Sequence, residues 1–178
     1  SFILFVSSCF FGQTTDLLIS EYGEGSSGSS KYIEIYNGTG ATVSLANYRL
    51  CMIANGGSWC ESNYSFTTAN IVDGATLVIA NNSGDVPGAD EYTGSISWNG
   101  DDAVSLQKNS AGWVLLDVIG TDGADPGTGW DVAGTTNATK DNVLTRKAAI
   151  CGPNTDWDNS RGTNTTNSEW VVTSYTTG

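Results

Sequence analysis

Nowhere in this chain do apolar residues recur with a helical period over a useful length. They come instead in eight short runs, residues 16–22, 31–37, 43–53, 76–81, 103–108, 113–120, 143–150 and 169–175. Between the runs stand connectors such as NSAG, NNSGDVPG, GTDGADPGTG and GPNTDWDNSRGTN, made of Gly, Pro, Asn and Asp residues whose backbone preferences set turns. In AVSLQK, Val104 and Leu106 alternate with Ser105 and Gln107, the pattern of a strand with one buried face, whereas TLVIAN is apolar on both faces. Short strands with frequent turn signals predict an all-β fold, an antiparallel β-sandwich or barrel.

A length of 178 residues suits one domain with a real core. Asp and Glu outnumber Lys and Arg by 19 to 7, and the seven cations are scattered, so direct nucleic-acid binding is not expected. The complete lack of histidine removes the commonest general base and metal ligand and every Ser-His-Asp or Cys-His arrangement. A composition rich in Gly, Ser, Thr, Asn and aromatic residues fits an extracellular β-protein.

The opening SFILFVSSCFFG reads as the C-terminal part of a secretion signal, residues 1–12, which leaves 13–178 as the domain. Two other readings are an edge strand and a lipobox in which Cys9 is acylated. The run is too short to span a membrane, and no membrane span is expected. The close of the chain after EWVV reads as a junction with a longer extracellular protein. Cys51 and Cys60 flank MIANGGSW, which can turn tightly enough to bring two sulfurs together, so a disulfide is expected between them. A zinc site competes for the same thiols but lacks both a CxxC pair and a histidine. Cys151 is left over, as a free or buried thiol or as a partner in a different pairing.

Several motifs then fall in a recognisable order: LLISEY, a Gly/Ser turn, KYIEIYNGTG, VSLANYRL, WNGDDAVSLQK and WVLLDVIG. This string resembles the lamin tail domain, an immunoglobulin-like antiparallel β-sandwich found in nuclear lamins and in many secreted bacterial proteins. The likeness runs from about Asp16 to Tyr175 and is strongest toward the bacterial branch. It implies a non-catalytic binding, adhesion or positioning module of a secreted or cell-surface protein, with a protein or surface glycan as partner. In that branch the domain often precedes an extracellular endonuclease/exonuclease/phosphatase domain, so an accessory part of a metal-dependent nuclease or phosphatase is the alternative. A carbohydrate-binding module is the weaker one.

The residues that could carry chemistry are few. Glu21 and Glu34 sit in neighbouring apolar runs and invite comparison with the paired carboxylates of glycosidases. Strict alternation puts Glu21 on the face of Leu17 and Ile19, and Glu34 with Tyr32 and Tyr36. Neither lies beside a loop of substrate-binding character, so no catalytic residue is assigned. Both are read as structural, one accepting hydrogen bonds or pairing a cation inside the sandwich, with Arg146 as the nominated cation. Asp122, Asp125 and Asp131 in TDGADPGTGWD make a weak Ca²⁺ candidate, although their spacing fits no EF-hand, and no other cofactor is expected. Trp98 and Trp130 are retained as surface contacts for a ligand.

Overall fold

The computed structural model describes residues 13–84 and 86–176, so the expected signal segment 1–12, with Cys9, lies outside the described residues. The first half of the chain forms β1 (Leu18–Glu24), β2 (Lys31–Tyr36), β3 (Val43–Ser44), β4 (Tyr48–Ile53), β5 (Ser62–Ser65), β6 (Asn70–Ile71) and β7 (Thr76–Asn81). The second half adds β8 (Glu91–Thr93), β9 (Ala103–Asn109), β10 (Trp113–Ile119), β11 (Asn142–Arg146), the short helix α1 (Trp157–Arg161) and β12 (Trp170–Ser174). Each apolar run of the sequence contains a strand. Strands β5, β6 and β8 lie in polar sequence and are held by pairing: Ser62 opposite Met52, Ile71 opposite Val43, and β8 parallel to β7.

The strands form two main sheets, ordered β12-β11-β1-β2-β7-β8 and β10-β9-β4-β5, with a small ribbon of β3 and β6. This is the expected immunoglobulin-like β-sandwich. Tyr22, Ile33, Ile35, Leu77, Ile79 and Leu144 of the first sheet share one core with Leu50, Met52, Val104, Leu106 and Val118 of the second. Burying each such side chain contributes about 1.5–3 kcal/mol. The half-buried reading of β9 is corrected, because Ser105 and Gln107 are buried as well. Gln107 accepts the Arg49 guanidinium at 2.8 and 3.1 Å, and that guanidinium lies 4.2 Å from the Trp113 ring centroid, so polar and aromatic groups cover the second face.

Carboxylates join the sheets along both seams. At one seam, fully buried Asp117 of β10 accepts from Arg146 Nη2 with both oxygens at 2.8 Å and from the Ile19 N–H at 2.8 Å. Arg146 also donates to the Ile19 carbonyl at 2.8 Å and to Glu169 at 2.7 Å, with Trp170 stacked beneath it at 4.2 Å. At the other seam Glu91 accepts from the Tyr64 hydroxyl at 2.9 Å and from the N–H groups of Thr67 and Thr68. Cys51 and Cys60 form the expected disulfide across the turn after β4, with their Cα atoms 5.1 Å apart. Cys151 is disulfide-bonded, which removes the reading of it as a free thiol.

Candidate functional site

One irregularity in β1 decides where its glutamate points. Ile19 stands opposite Ile35 of β2, but Glu21 stands opposite Glu34, one residue out of step. The extra residue makes a β-bulge, and a one-residue shift reverses the faces of everything that follows it. Tyr22 therefore enters the core opposite Ile33, and Glu21 turns outward. The expectation that Glu21 shares a face with Leu17 and Ile19 is thereby corrected, since it assumed an unbroken period of two.

The bulge aligns the two carboxylates on the outer face. Across four strands the register runs Thr145, Glu21, Glu34, Val78, each opposite the next. One step along the same face, Tyr32 of β2 stands opposite Gly23 of β1, and Val143 of β11 opposes Gly23 from the other side. Gly23 leaves room for the Tyr32 ring: a Cβ there would overlap the ring, which would have to move. With nothing on Gly23 to obstruct it, Tyr32 leans across β1 and its hydroxyl donates to Glu21 Oε1. Thr145 Oγ1 donates to Glu21 Oε2 at 3.2 Å, and Ser20 Oγ donates to Glu34 Oε1 at 2.7 Å. Burial, and then the hydrogen bond and charge of Glu21, push the Tyr32 phenol far above its ordinary range, so it remains a donor.

These residues floor a groove of about 500 Å³. The loop from Val86 to Ala89 borders it, as do Thr173, Ser174, Tyr175 and Thr176 at the end of β12. The Tyr32 and Tyr175 rings lie 6.3 Å apart and tilted by 53°. A loop thus does stand beside the glutamates, contrary to the sequence reading. None of the chain's seven Lys and Arg residues lines the groove, and among the described residues neither glutamate forms a salt bridge. Arg146 is the buried cation that was nominated, but its partners are Asp117 and Glu169 rather than either glutamate. It lies beyond the bulge, on the other face.

The remaining candidates disperse. Trp98 is 2 % exposed and stacks on Tyr22 at 5.5 Å, so it is a core residue and not a surface contact. Trp130 is partly buried, edge-on to Trp157 at 6.3 Å. Asp125 accepts from the Gly127 N–H at 2.7 Å and Asp131 from the Asn137 N–H at 2.9 Å, each carboxylate serving its own turn. Among the described residues no group of three or more His, Cys, Asp or Glu stands together to hold a metal ion. Sequence reasoning missed Gly23, Tyr32, Thr145 and Tyr175 as parts of a site. The one available signal was a glycine inside a strand pattern, SEYGEG, which marks a bulge or a close approach.

The chain matches the Lamin Tail Domain family over residues 12–123. No curated protein and no solved structure matches it. Strands β11 and β12, which supply Thr145, Arg146 and the end of the groove, follow the matched span yet complete the same sheet. On a match that covers more than half of its length, the chain belongs to the lamin tail domain family.

Proposed function

We propose that the chain is a non-catalytic protein-interaction module of a secreted or cell-surface protein, used for binding, adhesion or positioning. Membership of an immunoglobulin-like interaction family carries the reading. The chemistry of the groove supports it. Catalysis by paired carboxylates needs one group free to give a proton and another free to attack. Here both oxygens of Glu21 are held by hydroxyls and no histidine exists to assist. The Cys51–Cys60 disulfide suits an oxidising compartment, and no helix among the described residues is long and apolar enough to cross a membrane.

The reading includes residues 1–12 as the end of an export signal, which requires the disulfide partner of Cys151 in the mature protein to come from outside residues 13–178. Intact mass of the exported protein should show a chain beginning near Gln13. A mature chain that keeps residues 1–12, with Cys151 linked to a peptide from that segment, overturns this part. For the interaction itself, fluorescently labelled protein should bind cells of its source saturably, and protease treatment of the cells should abolish binding. Binding that survives protease but falls after glycosidase treatment favours the carbohydrate-binding reading. Turnover of DNA, phosphoesters or glycosides by the chain with Mg²⁺ or Ca²⁺ would refute the non-catalytic reading.

A further inference from the structure

We propose that the groove over Glu21 and Glu34 receives a lysine or arginine side chain of a partner protein, an inference that rests on the interaction-module reading above. Its starting point is a sheet face that no element among the described residues covers, with shape as well as charge. Two carboxylates stand directly opposite each other on adjacent strands, where like charges destabilise a sheet. Hydroxyl donors hold the two carboxylates but no cation of the chain neutralises them, since none of its Lys or Arg residues lines the groove. Nothing among the described residues donates to Glu34 Oε2, so an acceptor remains open beside the hydroxyl-held Glu21.

The surroundings select among cations. A Ca²⁺ ion takes about six to eight oxygen ligands, and among the described residues no third acidic side chain joins the pair to help supply them. An ammonium or guanidinium group, by contrast, carries several donors that can bridge neighbouring carboxylates. The tilted Tyr32 and Tyr175 rings offer aromatic faces to a cation. Val78, Val86, Pro87 and Val143 give apolar walls against which the methylene stem of a long basic side chain can lie. A volume of about 500 Å³ has room for such a side chain along its whole length. The net charge of −12 draws a basic partner toward the surface before contact is made.

The test uses capped Thr-Val-Lys-Val-Thr peptide and two twins, one with Nε-acetyl-lysine and one with norleucine, titrated into the full chain while amide NMR shifts are followed. Shifts at Glu21, Tyr32, Glu34 and Thr145 should saturate with the lysine peptide. Affinity should fall about tenfold for either twin, for Glu34→Gln and for Glu21→Gln, as expected when a charged hydrogen bond is lost. Added salt should weaken the lysine peptide alone. Unshifted core amides at Leu50 and Leu106 of the other sheet establish that each variant is folded; if one is not, the twin peptides and the salt series decide with the unaltered chain. Equal binding of the twins, shifts confined to another face, or the same shifts produced by Ca²⁺ while the peptide is silent would overturn the proposal. Protease-sensitive cell binding that survives the double Gln variant also overturns it while leaving the module reading standing, whereas absence of any cell binding removes the module reading.

Discussion

The single side chains whose removal leaves the costliest defect lie where charge meets the interior. Asp117 is fully buried and its charge is matched by Arg146, which also engages Ile19 and Glu169. Removing one partner of such a pair leaves an uncompensated buried charge, which costs about 3–5 kcal/mol. Arg146→Met should therefore lower denaturant stability by about that amount; a loss below about 1 kcal/mol would mean that the seam is held by packing alone. Asp16 and Glu91 give the chain an acid limit. Burial pushes both carboxyls up, but Lys108, Tyr48 and the Leu17 N–H for Asp16, and Thr68, Tyr64 and Thr67 for Glu91, outweigh it and hold them below 3.8 and 4.5 respectively. A depressed folded value means that the native state binds fewer protons than the unfolded one in that window. Their contribution is complete above those ordinary values and is lost as pH falls through the folded ones. Melting temperature should accordingly drop as pH falls below about 4.5, and Asp16→Asn with Glu91→Gln should flatten that drop. An unchanged slope in the double variant would assign the acid limit to other groups.

Elements show where the period of a strand can be trusted. The core face of β2 follows the alternation in its sequence, with Ile33 and Ile35 buried, because the pleat sends alternate side chains to opposite sides. In β1 the alternation breaks at the bulge, and nothing in LLISEY announces it; the one signal is the glycine that follows, at position 23. The same bulge sets Glu21 against Glu34, so Glu21→Gln, which keeps the acceptor for Tyr32 and removes one charge, should raise stability by about 0.2–1 kcal/mol at low salt and less at high salt. A fall in stability would show that the carboxylate's hydrogen bonds outweigh the repulsion. The disulfide between Cys51 and Cys60 was legible because nine residues of separation and a Gly-rich turn leave little else for the two sulfurs to do. Closing so short a loop restricts the unfolded chain by about 2–3 kcal/mol, so Cys51→Ser with Cys60→Ser should lower the melting temperature while the cooperative transition survives. β5, β6 and β8 escaped the sequence because they carry no apolar run of their own and are held by pairing with β4, β3 and β7.

At the scale of the whole molecule, the fold class was readable from many short apolar runs, but the way the ends of the chain close it was not. β11 covers the edge of β1, and β12 covers β11, so the six-stranded sheet is built from both ends of the chain. The match to the family stops at residue 123, before either strand. A chain cut after Gly123 would leave β1 as an exposed edge, strip Thr145 and Tyr175 from the groove, and remove Arg146 and Asn154 from around Asp117. An unpaired edge invites association with other chains, and a buried carboxylate without its cation is among the costliest defects a core can carry. Residues 13–123 expressed alone should therefore be aggregated or unfolded, whereas 13–178 should unfold in one cooperative transition by circular dichroism and near-ultraviolet absorbance alike. Adding Asp117→Asn to the short version should not rescue it, because the charge is only one of the two losses and the open edge of β1 remains. If 13–123 were monomeric, cooperative and comparable in stability to 13–178, the matched span would be a complete domain, and β11 and β12 would be an appendage rather than the closing strands of the sandwich.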